Sequence, residues 1–293
     1  MAQSKSFFGL RKGSTKSLTF SVYNGKQVTK DRLTEVKNPR SSLQMVQRAY
    51  MATAMRAYSA LKEICDHSYE GIAYGQKSMN YFVYENTRML RSAAPNVNLS
   101  IFKGNSVCNA YIISKGTLPP IAVNVNENFT IPMNGIEDGT TFDKVMAKLG
   151  ATKIGDMVTF VSLINNPGGN ASIYWIRLKL TSENSGEHIQ ATNQRNILED
   201  LIEGTDFETN IDNFSPSDFR ISFSGELNNK VMTIQLKSNS QNCSLGVILS
   251  RKSDTGWLRS SSTMVNLTNT FNFDKALATY PAIEEPILNG GKV

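Results

Sequence analysis

From Leu43 the apolar positions recur at spacings of three and four, through Val46, Tyr50, Ala54, Ala57, Leu61 and Ile64. Such spacing draws one stripe along a helix of about six turns. Arg48, Arg56 and Lys62 fall mostly off that stripe. Ser41 followed by Gln44 matches a capping box, in which the hydroxyl and the amide satisfy two orphaned backbone donors. Asn38-Pro39 marks the boundary ahead of it, because proline pushes its predecessor out of the α region. Gly71 and Gly75 break the pattern, and a second helix is expected from Lys77 to Ser92, with Met79, Phe82, Val83, Asn86 and Leu90 on its inner face. Two such helices joined by a short loop pack as an antiparallel hairpin.

On either side of these helices the period changes to two. Leu18, Phe20 and Val22 alternate with Thr19, Ser21 and Tyr23, and Asn24-Gly25 suits a two-residue type I′ turn. The returning arm, to about Lys37, sets Lys26, Val28, Lys30 and Arg32 on one face as a cationic ribbon. Beyond Ala94-Pro95-Asn96 short alternating runs follow at 98–102, 110–114, 121–125, 157–163, 172–180, 219–223, 231–236, 245–250 and 257–265. Turn residues separate them, among them Asn165-Asn166-Pro167-Gly168-Gly169, Asn228-Asn229 and Ser253-Asp254-Thr255-Gly256. Helical interruptions are expected at 142–149 and 193–203.

The expected fold is therefore mainly β with an α-helical N-terminal part. An antiparallel β-sandwich or barrel body over 96–273 follows a β-ribbon and helical hairpin module over 1–95, and 274–293 form a C-terminal arm. Composition agrees. Asn (28), Ser (30) and Thr (22) are heavily used, and their side chains compete for backbone hydrogen bonds in helix interiors while suiting turns and strand faces.

Charge is distributed unevenly. The net +6 of the chain comes from its first 94 residues, where fifteen Lys and Arg stand against six Asp and Glu. A basic module on a nearly neutral body speaks to partners rather than to fold. No apolar run is long enough to span a membrane, and Met1 to Lys16 is polar and basic, so neither a membrane span nor a secretory signal is expected. Cys65, Cys108 and Cys243 are odd in number and far apart, which fits free, buried thiols in a reducing compartment.

Catalytic patterns are thin. His67 and His188 have no metal-ligand spacing, so no metal and no cofactor are expected. There is no G-x-S-x-G elbow, no Walker A sequence and no G-x-G-x-x-G. Ser59-Ala60-Leu61-Lys62 matches S-x-x-K, but Lys-Thr-Gly and Ser-Asp-Asn are missing and the tetrapeptide lies on the amphipathic helix, so it reads as a chance match. Asp156 and Glu199-Asp200 read as surface carboxylates. The Asn-x-Ser/Thr sequons occur about as often as composition alone predicts. Two clusters remain. Lys26, Lys30, Arg32, Lys37, Arg40 and Arg48 make a cationic face able to meet phosphate, with Tyr23 and Tyr50 as aromatic candidates for stacking on a base. The same face suits solvent or an acidic neighbouring subunit. Trp257 with Arg259 and Ser260 reads either as a tryptophan capping the sandwich core under a stacked arginine, or as a contact surface between subunits.

The stretch Gly13…Asn24-Gly25-Lys26-Gln27-Val28…Arg32…Val36-Lys37-Asn38-Pro39-Arg40-Ser41…Gln44…Gln47-Arg48 resembles an N-terminal module of uncharacterised proteins from Bacteroidota and the phages that infect them. More loosely, Gly246-Val247-Ile248-Leu249-Ser250-Arg251 with Trp257-Leu258-Arg259-Ser260 is similar to the end of such phage proteins. The family has no established activity, so the resemblance supplies no catalytic residue. It implies a non-enzymatic virion structural protein, with the crAss-like phages one group it points to. Its place would be a head–tail ring or collar, a capsid accessory or a tail component, made in the host cytoplasm. The implied partners are copies of itself and portal, capsid or tail subunits. A nucleic-acid-binding accessory protein using the basic module is the alternative. A surface- or carbohydrate-binding module is a third class, which would need aromatic side chains clustered on one exposed face.

Overall fold

A computed structural model describes residues 2–4, 12–23, 25–32, 42–93, 110–165, 171–190, 196–201, 207–212, 218–236 and 243–266. The N-terminal ribbon comprises β1 (Ala2–Ser4), β2 (Gly13–Ser14), β3 (Leu18–Tyr23) and β4 (Lys26–Asp31), in the order β1-β4-β3-β2. Tyr23 lies directly opposite Lys26, and Gly25 takes φ 72°, the left-handed conformation that a type I′ turn demands. The hairpin is thus the expected one. Its second strand ends at Asp31, earlier than the expected Lys37; Lys37, Arg40 and the Ser41 cap lie outside the described residues.

Helices α1 (Ser42–Cys65) and α2 (Gln76–Ala93) form the predicted hairpin. Tyr50, Ala54, Ala57, Leu61 and Ile64 are buried along α1, while Arg48, Arg56 and Lys62 are exposed. Phe82 and Leu90 are fully buried on α2, and Phe82 meets Tyr58 with ring centroids 5.5 Å apart. Ser78 Oγ donates to the Cys65 carbonyl at 2.7 Å, fixing the start of α2 to the end of α1.

The rest of the chain runs through β5 (Ile112–Ser114), β6 (Asn124–Val125), β7 (Phe129–Pro132), β8 (Thr140–Thr141) and α3 (Phe142–Lys148). Then come β9 (Met157–Asn165), β10 (Ala171–Lys179), β11 (His188–Ile189), α4 (Ile197–Leu201) and β12 (Phe207–Thr209). It closes with β13 (Phe219–Ser224), β14 (Val231–Leu236), β15 (Cys243–Ser253), β16 (Gly256–Arg259), β17 (Ser262–Thr263) and β18 (Val265–Asn266). The central sheet has the order β12-β10-β9-β15-β16, with β18 pairing β15; a second sheet has the order β13-β14-β7-β6. All of these pairings are antiparallel. Among the described residues no sheet closes on itself, and the fold is mainly β with antiparallel sheets.

The central sheet is buried on both faces, and its side chains sort by parity. Val158, Phe160, Ile164, Ile176, Leu178, Leu245, Val247 and Leu249 join a core with the second sheet, α3 and α4, where Phe160 meets Phe219 at 6.4 Å. Val161, Leu163, Trp175 and Ile248 point the other way, into a core with Tyr50, Leu61, Phe82 and Tyr111. Near-continuous apolar runs such as 158–164 and 245–249 are what burial on both faces requires. The helices of the expected 1–95 module therefore pack directly on the body sheet, and the boundary expected at Ala94-Pro95-Asn96 lies outside the described residues.

Asn86 is the polar tie in this packing. Fully buried in mid-helix, it accepts from Ile112 N at 2.8 Å and donates to the Ile112 carbonyl at 3.1 Å and the Phe82 carbonyl at 3.0 Å. Asn86→Ala is expected to cost about 1–3 kcal/mol, because the buried Ile112 N–H loses its acceptor, while the Ile112 carbonyl keeps the Tyr69 hydroxyl at 2.9 Å. A urea unfolding titration measures this.

Several runs differ from expectation. The 121–125 run pairs only over Asn124–Val125, the 193–203 helix reduces among the described residues to Ile197–Leu201, and the 257–265 run divides into β16, β17 and β18. The division has a cause: after Arg259 the chain leaves β15 and Ser262 and Thr263 pair β5 instead. Strand β7 was not foreseen; Pro132 closes it at the sheet rim, where a missing donor is tolerated. The 98–102 run, Cys108 and the 274–293 arm lie outside the described residues.

Candidate functional site

The chain has two tryptophans, and each is followed two residues later by arginine: Trp175-Ile176-Arg177 on β10 and Trp257-Leu258-Arg259 on β16. On a strand, residues i and i+2 share a face, so each guanidinium can lie over its indole. Both do, at 5.0 Å from the ring centroid. Arg177 was missed from the sequence; the repeated Trp-x-Arg spacing was the signal that could have found it.

The two arginines line one cleft of about 260 Å³ where the end of α1 crosses the central sheet. Met157, Thr159, Ile248 and Ser250 form its sheet side, and Ile64, His67 and Ser68, with exposed Glu63, form its helix side. Register explains the convergence. Arg177 pairs with Thr159, Thr159 with Ile248, and Ser250 with Arg259, so all five stand on the helix-facing side of four adjacent strands.

Arg177 donates from Nε to Thr159 Oγ1 at 3.3 Å and from Nη1 to Glu208 Oε2 at 2.8 Å. Arg259 donates from Nε to the His67 carbonyl at 3.1 Å, and its backbone N–H donates to Glu70 Oε2 at 3.2 Å. Burial first, and then the like charge of Arg177, press the Arg259 guanidinium pKa down to about 10; Glu70 offsets this only in part. Glu70 itself is held below the usual carboxylate range, chiefly by the Thr117 N–H at 2.9 Å and then by the Arg259 N–H. Trp257 remains 42 % exposed. It therefore does not cap the core, although the expected stacking of Arg259 over it is present.

The basic cluster is only partly within the described residues. Lys26 and Lys30 are exposed on one face of the ribbon together with Tyr23, which is 72 % exposed; Arg32 is exposed and donates to the Thr15 carbonyl at 3.1 Å. Arg48 is exposed on α1. Tyr50 is buried at 2 % exposure and packs with Leu61 and Tyr111, so it is no base-stacking residue.

Asp156 departs from its reading as a surface carboxylate. It is 1 % exposed, and Arg251 grips it through Nε to Oδ1 at 2.8 Å and Nη2 to Oδ2 at 2.6 Å. The N–H groups of Thr152 and Lys153 add two further bonds to Oδ2, each 2.9 Å long. Burial raises its pKa, but the Arg251 and backbone hydrogen bonds outweigh burial and hold it below the ordinary aspartate value. Cys65 and Cys243 are buried free thiols; burial raises both pKa values, Cys243 to about 11, which keeps them protonated and unreactive. His67 packs against Tyr74, while His188 Nδ1 meets the Gly139 carbonyl at 2.7 Å. Among the described residues no group of three or more His, Cys, Asp and Glu is placed to hold a metal, and no helix is long and apolar enough to cross a membrane. Compared with protein-family models, curated proteins and solved structures, the chain matches none.

Proposed function

We propose that this chain is a non-enzymatic bacteriophage virion structural protein that acts by assembling with copies of itself and with portal, capsid or tail subunits. The observation that carries the reading is Trp257, a large aromatic left 42 % exposed on β16 with an arginine stacked on it. Exposed tryptophan backed by arginine is the chemistry that dominates protein–protein binding energy. The resemblance of the Gly13–Arg48 and Gly246–Ser260 stretches to phage proteins points the same way. The body reads as a β-sandwich, supported by the core that its two main antiparallel sheets share around Phe160 and Phe219. Sandwich bodies side by side make closed rings when each subunit offers two different complementary patches.

Sedimentation velocity on wild type and Trp257→Ala tests the role of this surface. The variant is expected to shift to smaller species with its unfolding midpoint nearly unchanged, since surface substitutions cost about 0.5 kcal/mol or less. Identical sedimentation of the two proteins would contradict it.

The exposed Tyr23 beside Lys26 and Lys30 favours one second reading, a nucleic-acid-binding accessory protein. In that case affinity for duplex DNA falls with salt at a log–log slope of about 0.9 per phosphate contacted, and Lys26→Glu/Lys30→Glu flattens it. Binding that is absent, or indifferent to salt, removes this reading.

A further inference from the structure

In the cleft between Arg177 and Arg259 the Arg259 guanidinium keeps hydrogen-bonding capacity that its neighbours leave unused. Glu208 is bonded to Arg177, but among the described residues no partner takes the Nη groups of Arg259, whose Nε alone is engaged. Glu70 is occupied by Thr117 and by the Arg259 backbone N–H. We infer that this cleft is a carboxylate-binding site, in which the Arg259 guanidinium receives the anion and Ile64, Met157 and Ile248 receive an apolar stem, with the Thr159 and Ser250 hydroxyls beside it. A guanidinium edge matches the two oxygens of a carboxylate. With the Glu70 and Glu63 carboxylates nearby, the Arg259 guanidinium suits a monoanion better than a phosphate dianion. At about 260 Å³ the cleft takes a single side chain or a small acid rather than a cofactor. The shared chemistry has two sources, a free short-chain acid or a glutamate side chain of a second copy of this chain. The site itself stands whether or not the chain assembles.

Trp175 and Trp257 are the only tryptophans, and each is stacked by one of the two arginines, so intrinsic fluorescence reports on this cleft. The test is a titration of the full chain with sodium butyrate at constant ionic strength. A saturable change is expected, with acetate requiring roughly fifteenfold more for its two missing methylenes, at about fourfold each. Arg259→Gln loses the saturable change. A wild-type melting temperature that rises with butyrate supplies a readout independent of the variant's folding. Sodium chloride or inorganic phosphate giving an equal or larger saturable change overturns the assignment, as does an Arg259→Gln protein that folds and titrates like wild type. A dilution series separates the sources. If a neighbour's glutamate fills the site, dilution changes the emission and butyrate dissociates the oligomer; if a free acid does, emission is independent of protein concentration.

Discussion

Asp156→Asn is expected to lower the unfolding free energy by about 3–5 kcal/mol at neutral pH, the usual result of removing one partner from a buried ion pair. At 1 % exposure the carboxylate receives three donors on Oδ2, namely Arg251 Nη2, Thr152 N–H and Lys153 N–H, and a fourth, Arg251 Nε, on Oδ1. An amide nitrogen in either place confronts donors with a donor. Arg251, its side chain 18 % exposed, loses its counter-charge and keeps only Thr152 Oγ1 and the Gly150 carbonyl. The pair joins the turn before β9 to the C-terminal end of β15, so its loss loosens two central strands at once. The pH dependence follows from the direction of the shift. A carboxyl whose folded pKa lies below its unfolded value of about 3.9 stabilises fully above that value and loses the effect as pH falls through the folded pKa. Wild type and variant should therefore differ most at pH 7 and converge toward pH 2–3 in paired urea titrations. A constant difference down to acid would show that shape, not charge, sets the cost.

Gly116→Ala should cost about 3 kcal/mol, at the upper end of overpacking effects, and should lower the melting temperature by roughly 6–12 °C. A Cβ at this position falls 2.5 Å from Glu70 Oε2 and still closer to the Arg259 carbonyl oxygen. The second of these is backbone and cannot rotate away. The segment around Gly116 is a crossing point: Glu70 N–H donates to the Lys115 carbonyl at 2.9 Å, Leu118 N–H to the Arg259 carbonyl at 2.9 Å, and Thr117 N–H to Glu70. Displacing it moves Glu70 and Arg259 together, so the variant should also lose whatever the Trp257–Arg259 surface binds. A melt together with sedimentation of the folded fraction checks both effects. A variant with wild-type melting would mean that this crossing is slack.

What could be read from the chain beforehand depended on whether the signal was local. The α1 stripe from Tyr50 to Ile64 and the inner face of α2, Asn86 included, follow from periodicity over many turns and appear as expected. The side chains of Leu43 and Val46 lie outside the described residues. Val231–Leu236 coincides with β14 because its alternation matches a strand with successive side chains of unequal burial. The failures are long-range. Asp156 looked like a surface carboxylate because the arginine that buries it lies 95 residues away. Tyr50 looked free to stack on a base until Leu61 and Tyr111 were seen around it in one core. Half of the candidate cleft, Trp257 with Arg259, was visible in the sequence. The other half, Arg177, shares the Trp-x-Arg spacing, but its place beside Arg259 comes from the register that aligns β10, β9, β15 and β16.

The proposal as a whole turns on association, and the size of the purified wild-type protein in solution tests it most directly. Sedimentation velocity over a hundredfold concentration range, with absorbance at two wavelengths to detect nucleic acid, is the measurement. Discrete high-order species free of nucleic acid, resolved as closed rings by negative-stain imaging, are the predicted result. A single monomeric species of 32.4 kDa at every concentration would contradict it.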